Sequence, residues 1–170
     1  MKRILEFIIL LLLLGLINKY SGASVSKGTS AFQFLRIDTS ARSASLSSAY
    51  AGLADDVYAL ESNAAGLGFI LDKELQVSYL SWFEGVYLSH LSWAVPFGDI
   101  TLGGSYKFLS AEDTYRDEDG NESGKIKIDE NATALGIGVR ITDYLSIGGS
   151  CKYLSSNLDD LKASGVAFDV

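Results

Sequence analysis

Cysteine, histidine and proline each occur once in this 170-residue chain, at Cys151, His90 and Pro96. One cysteine can form neither an internal disulfide nor a thiolate zinc cluster. One histidine cannot supply a His-rich metal site or a two-histidine facial arrangement. Basic surface is scarce as well. Lys and Arg number 14 against 21 Asp and Glu, for a net charge of −7. With no basic patch and no polybasic stretch after the apolar N-terminus, no nucleic-acid partner is expected. Only 21% of residues are charged and 48% are hydrophobic, which excludes a disordered chain. Glycine, by contrast, is abundant at 17 residues, and glycine inside strands marks close approach or empty space.

Lys2 and Arg3 precede an apolar run from Phe7 to Ile17, and Ser21, Gly22 and Ala23 follow it. A basic start, a short apolar core and a small-x-small exit describe a secretory signal peptide over residues 1–23, cleaved after Ala23. The apolar run is short for a membrane-spanning helix, which needs about 20 residues. Without residues 1–23, which hold Lys2, Arg3, Lys19 and Glu6, 11 basic and 20 acidic residues remain and the net charge is −9.

From residue 73 to 170 the hydrophobic period is two, the signature of strands with unlike faces. Ile100, Leu102, Gly104, Tyr106 and Phe108 alternate with Thr101, Gly103, Ser105 and Lys107. Leu135, Ile137, Val139 and Ile141 alternate with Ala134, Gly136, Gly138 and Arg140, and Leu145, Ile147, Gly149, Cys151 and Tyr153 with Ser146, Gly148, Ser150 and Lys152. Val166 and Phe168 continue the series, Leu75, Val77 and Tyr79 open it, and Tyr87–Val95 is mixed on both faces. The small polar face reads as the wall of a lumen, because a soluble sandwich would expose long charged side chains there. Connections alternate too: Pro96–Asp99 and Thr142–Tyr144 are short, while Ala111–Glu130 is expected to be a long loop and Ser156–Lys162 an intermediate one. Trp82, Phe83, Tyr87, Phe108 and Tyr153 cluster toward one end, and Trp93, Phe97 and Tyr144 toward the other, as interfacial aromatics do. The expected fold is all-β: about six strands of a transmembrane antiparallel β-barrel. Val170 falls inside an alternating strand, and eight strands are the usual minimum, so the chain is expected to be the N-terminal part of a longer barrel.

Residues 24–72 are rich in Ala, Ser and Gly, with Ala41, Ala44, Ala49 and Leu53 at loosely helical spacing. Three stretches carry a resemblance: GTSAFQFLRI (Gly28–Ile37), SARSASLSSAYAGLADD (Ser40–Asp56) and ESNAAGLG (Glu61–Gly68). In these the chain resembles the PorV/PorQ-like outer-membrane proteins, also grouped as an uncharacterised family (UPF0164-type) and related to FadL-type long-chain fatty-acid transporters. It departs from that pattern at Ala64, where a proline is usual, and at Ser47-Ser48, where a glycine pair is common. The resemblance implies a barrel of about 14 strands in the bacterial outer membrane, with residues 24–72 as a luminal plug with short helices. Transport of hydrophobic solutes, or escort of secreted cargo proteins as in type IX secretion, is the implied role. A structural or adhesive surface barrel is the alternative, with the acidic segment Ala111–Glu130 as its contact surface; a soluble periplasmic β-protein is a third.

Candidate plug and luminal residues are Arg42, Asp55, Asp56, Asn63 and Gly66, with Lys107, Arg140 and Lys152 on the wall. Arg42 is taken to anchor the plug to that wall, and Asp55-Asp56 to do turn chemistry. Asp119, Asn121, Ser123 and Glu130 match the donor spacing of an EF-hand loop, but strand patterns flank them where helices belong, so they are only a weak calcium candidate. His90 reads as structural, since nothing places a nucleophile beside it. Gly103-Gly104, Gly136-x-Gly138 and Gly148-Gly149 lie inside strands and are not phosphate loops. Neither an enzymatic activity nor a cofactor is expected.

Overall fold

The computed structural model describes residues 32–47, 49–116, 121–159 and 161–170. The expected signal peptide, residues 1–23, lies outside them. None of the helices among the described residues is long and apolar enough to cross a membrane.

Six strands follow one another as an antiparallel meander: β1 (Glu74–Ser81), β2 (Tyr87–Phe97), β3 (Ile100–Arg116), β4 (Glu122–Thr142), β5 (Leu145–Leu158) and β6 (Leu161–Asp169). Spatial order equals chain order, and β1 and β6 are the two edges of an open sheet. Short turns make this possible. Glu84 and Gly85 at the β1–β2 turn both have positive φ (50° and 76°), the backbone hand that matches the twist of a tight hairpin. Pro96 is not part of the following turn, as expected from sequence, but sits inside β2 opposite Thr101. β1 stops pairing with β2 at Ala94, so on that side Pro96 has no strand to which an N–H would donate.

The segment expected as a long loop, Ala111–Glu130, is largely strand. β3 and β4 stay in register from Ser110↔Asp129 to Tyr115↔Gly124, past the points where β2 ends at Ser110 and β5 ends at Ile128. The result is a two-stranded arm. Its cross-strand pair Glu112↔Lys127 and the Lys125–Glu112 contact of 3.5 Å make one face charged, and on the other Asp113 stands opposite Ile126, so Glu112–Thr114 of β3 carry no apolar alternation to announce the arm. Ser156–Lys162 is likewise mostly strand.

The two faces of the sheet differ as the alternation requires. Apolar side chains on one face are uncovered: Leu75 and Val77 are 72% exposed, Leu135 61% and Phe168 74%. The other face is buried beneath residues 32–70, which form α1 (Ala41–Ser45), α2 (Ala59–Ser62) and three 3-10 turns, Gln33–Arg36, Ala49–Gly52 and Ala64–Phe69. Core side chains come from both partners. Val57, Leu60, Leu67 and Ile70 meet Ala94 and Ala134 of the sheet, while Phe34 meets Leu88, Leu109, Ala132 and Leu154. Burying a Leu such as Leu60 or Leu67 is worth about 1.5–3 kcal/mol. β2, mixed on sequence, resolves into buried Leu88, His90, Ser92 and Ala94. In the helical stretch the buried residues are Ser43 and Tyr50, whereas Leu53 is exposed. Ala41, Ala44, Ala49 and Leu53, whose spacing is loosely helical, are all exposed and form no packing face.

Candidate functional site

Contact between the N-terminal segment and the sheet is close because the covered face is built from small residues. A Cβ at Gly136 would strike Leu60, one at Gly138 would strike the Gly68 nitrogen and Leu67, and one at Gly148 would strike the Ala64 backbone. The segment in turn needs Gly66, where a Cβ would run into the Ala54 carbonyl. Asn63 caps the turn that follows it: its side-chain oxygen accepts from Ala65 N–H at 3.3 Å, and its amide donates to the Ala51 carbonyl at 3.0 Å. Ala64, the departure from the family's proline, is the first residue of that turn. Proline is favoured at such a position because its missing N–H would have no helical partner, so alanine there keeps the cap intact.

Onto this apolar contact the fold places one cluster of charge. Glu61 of α2 points at the sheet with its side chain only 9% exposed. Its Oε1 accepts from Ser105 Oγ at 2.5 Å and lies 3.6 Å from His90 Nε2, and its Oε2 lies 3.9 Å from Lys152 Nζ. Lys107, itself 1% exposed, donates to the Ile37 carbonyl at 3.3 Å, and its charge acts on Glu61. Burial works against ionisation of Glu61, but the contact with His90 and the charges of Lys107 and Lys152 outweigh it and hold the carboxyl down at about 2. Neither nitrogen of the His90 ring has a hydrogen-bond partner among the described residues, and the ring meets Tyr58 edge-on at 5.7 Å. Around this cluster the backbone is tied across twice more. Ser146 Oγ donates to the Ala65 carbonyl at 2.7 Å, and Val57 N–H donates to Glu74 Oε2 at 2.7 Å.

The residues singled out from sequence divide accordingly. Lys107 and Lys152 are in the cluster. Arg42 is not: it pairs with Asp55 at 2.7 Å and Asp56 at 3.1 Å within its own segment, and the Arg42 and Asp55 side chains are half exposed. Asp56 also accepts from Tyr58 N–H at 2.8 Å, two residues on, the turn chemistry expected of it. Arg140 pairs with the exposed Asp99 at 3.2 Å near the β2–β3 turn. Ion pairs this exposed contribute little. Arg42→Ala is therefore expected to leave the urea-unfolding midpoint close to that of the parent protein, in contrast to changes at Glu61.

The calcium candidate does not assemble. Glu122 to Glu130 lie on one extended strand, roughly 26 Å end to end at strand rise, so Asn121 and Glu130 cannot share an ion. Glu130 instead accepts from Ser156 at 3.2 Å. Asp119 lies outside the described residues. Among the described residues no group of three or more His, Cys, Asp or Glu side chains could hold a metal.

Glu61 and His90 were missed as site residues from sequence. The available signal was charge balance: Lys107, Arg140 and Lys152 all fall on the small-residue face, and basic groups enclosed there require an acid. Glu61 heads the very motif that carries Asn63 and Gly66.

No curated protein matches this chain, and no solved structure does. A family model does match, over residues 17–159, covering all three N-terminal motifs from Gly28 onward and the sheet as far as the end of β5. The chain thus belongs to the Uncharacterised protein family (UPF0164).

Proposed function

We propose that the chain forms part of a bacterial outer-membrane β-barrel in which residues 32–70 are a luminal plug, and that the barrel transports hydrophobic solutes or escorts secreted proteins. One observation carries this reading: the apolar face of the sheet is uncovered, and the small polar face is the one that the N-terminal segment fills. A water-soluble sheet buries the opposite face. In a barrel the pattern is the normal one, with apolar residues toward lipid and a polar, uncrowded interior. The resemblance to PorV/PorQ-like and FadL-type proteins supports a transport or escort role, as does the signal-like N-terminus.

Membrane fractionation with heat-modifiable gel mobility tests the barrel. The full-length protein is expected in the outer-membrane fraction, with a boiled band that migrates differently from the unboiled one; a product soluble without detergent overturns the reading. A deletion strain then separates the two roles by growth on long-chain fatty acids against export of secretion substrates.

The two-stranded arm beyond Ser110 and Ile128 favours a second reading, an adhesive surface barrel. Its Glu112, Asp113, Lys125 and Lys127 stand clear of the sheet. Deleting residues 112–127 would then abolish surface attachment and leave transport unchanged.

A further inference from the structure

We infer that the unpaired edge of β3 beyond Ser110 takes up an extended, lysine- or arginine-bearing segment of another protein as an added strand, an inference that rests on the adhesive reading of the arm above. β2 ends its pairing at Tyr87↔Ser110, yet β3 keeps its register with β4 as far as Tyr115↔Gly124. From Ala111 to Tyr115 the side of β3 turned away from β4 therefore has no strand beside it among the described residues. The backbone N–H and C=O groups along such an edge are a template for a further strand.

The other edge of the arm is guarded, and this one is not. On β4, exposed Lys125 and Lys127 line the edge, and lysine is a usual deterrent to strand addition. The Asp159 N–H of the β5–β6 turn also donates to the Lys127 carbonyl at 3.1 Å. Ala111–Tyr115 holds neither lysine nor proline, and its register with β4 shifts only between Tyr115 and Arg116.

Charge chooses the partner. Glu112 and Asp113 are both exposed, and as neighbours in a strand they put one carboxylate on each face of the free edge. Glu112 is shared with Lys125 at 3.5 Å, and Asp113 accepts from the adjacent Thr114 N–H at 2.7 Å. Residues 111–128 hold 6 Asp and Glu against 3 Lys and Arg, a net charge of −3. The same edge of a second copy is acidic too and is repelled, whereas a basic segment is drawn in. At the foot of this lane the turn that leads into β2 exposes Trp82 and Phe83, which suit an apolar residue at the near end of the segment.

The test uses the full-length protein in uncharged detergent micelles and a short peptide alternating lysine and valine, with a fluorophore and isotope-labelled carbonyls. Binding is expected in fluorescence anisotropy, and the labelled amide band should move to the infrared position of paired strand. Two control peptides are expected not to bind: an alternating glutamate–valine sequence, and the lysine–valine sequence N-methylated throughout, which has no N–H to donate. Glu112→Lys with Lys125→Glu exchanges the ion pair at constant net charge. Combined with Asp113→Asn it should weaken binding roughly 10-fold, the worth of two exposed charge contacts. The inference is overturned if the lysine–valine peptide does not bind, if the glutamate or N-methylated peptide binds equally well, or if binding survives deletion of residues 112–127. The adhesive reading outlives that result as long as the same deletion abolishes surface attachment, and the barrel reading as long as the heat-modifiable band persists. Should the exchanged variant fail to assemble, the peptide comparison on the unsubstituted protein decides alone.

Discussion

Glu61→Ala is expected to lower the stability of the folded protein by about 3–5 kcal/mol, the cost of stranding buried charge. The substitution leaves Lys107, 1% exposed, on an enclosed wall without the acid whose charge it faces, and Lys152, whose side chain is 12% exposed, with only Asp169 at 3.0 Å. It also strips Ser105 of its acceptor. Urea unfolding in detergent, followed by loss of the heat-modifiable band, measures it. Because the defect is unbalanced charge, pairing it with Lys107→Met should recover part of the loss, and the coupling between the two sites is the signature of direct interaction. A merely additive double variant would mean that Glu61 acts through packing alone.

Acid gives the same quantity without a mutation at the wall. Glu61 titrates at about 2 in the folded protein against an ordinary value of 4.5. A depressed carboxyl stabilises the fold above its unfolded pKa and loses that contribution as the pH falls through the folded one. The stabilisation, about 3 kcal/mol from the size of the depression, is therefore whole above pH 4.5 and gone by about pH 2. Parent and Glu61→Gln should differ near neutrality and converge across that window. Curves that remain parallel down to pH 2 would contradict the assignment.

Gly138→Val is expected to expel the N-terminal segment from the sheet. A Cβ at Gly138 enters the space of the Gly68 nitrogen and Leu67, and backbone cannot step aside as a flexible side chain can. Overpacking usually costs about 1–3 kcal/mol, and two opposed backbones place this case at the upper end. Limited trypsin digestion reads the outcome, with Arg36 and Arg42 of the segment becoming cleavable while the strands stay protected. Gly149→Ala is the control. It lies on the outer face, where an added Cβ meets only the Asp169 carbonyl at 3.3 Å, and its digestion pattern should match that of the parent.

Much of the sheet was legible because period two is a direct image of the pleat. Ile100–Ser110 and Leu145–Tyr153 alternate cleanly, and the residues between their apolar ones, Gly103, Ser105, Lys107, Ser146 and Gly148, are the ones that meet the N-terminal segment. Where one strand of a ribbon is polar on both faces, as at Glu112–Thr114 of β3, the pattern carries no such image. Opposite it Ile126 and Ile128 alternate with Lys125 and Lys127, but turn-forming residues such as Gly124 masked that strand. Pro96 misled for a related reason: it is a turn former in most settings, and only the early end of β1 made it harmless in β2. The N-terminal segment was legible as short and close-packed, but not in its contacts. Arg42 drew notice as an isolated charge, and two adjacent aspartates satisfy it locally. Glu61 hid in a stretch of Ala, Leu and Ser, and its role depends on three basic residues 29 to 91 positions away in the chain, a pairing that only the strand register creates.

Cys151 permits the most direct test of the central claim, that the uncovered face of the sheet meets lipid. It is the chain's single cysteine, exposed on that face between Leu135 and Phe168 of the flanking strands. In native outer membranes a charged, water-soluble maleimide should leave Cys151 unmodified, while an uncharged, lipid-soluble maleimide labels it, and both should label it after unfolding in urea. Rapid modification by the charged reagent in the intact membrane would place this face in water and contradict the account.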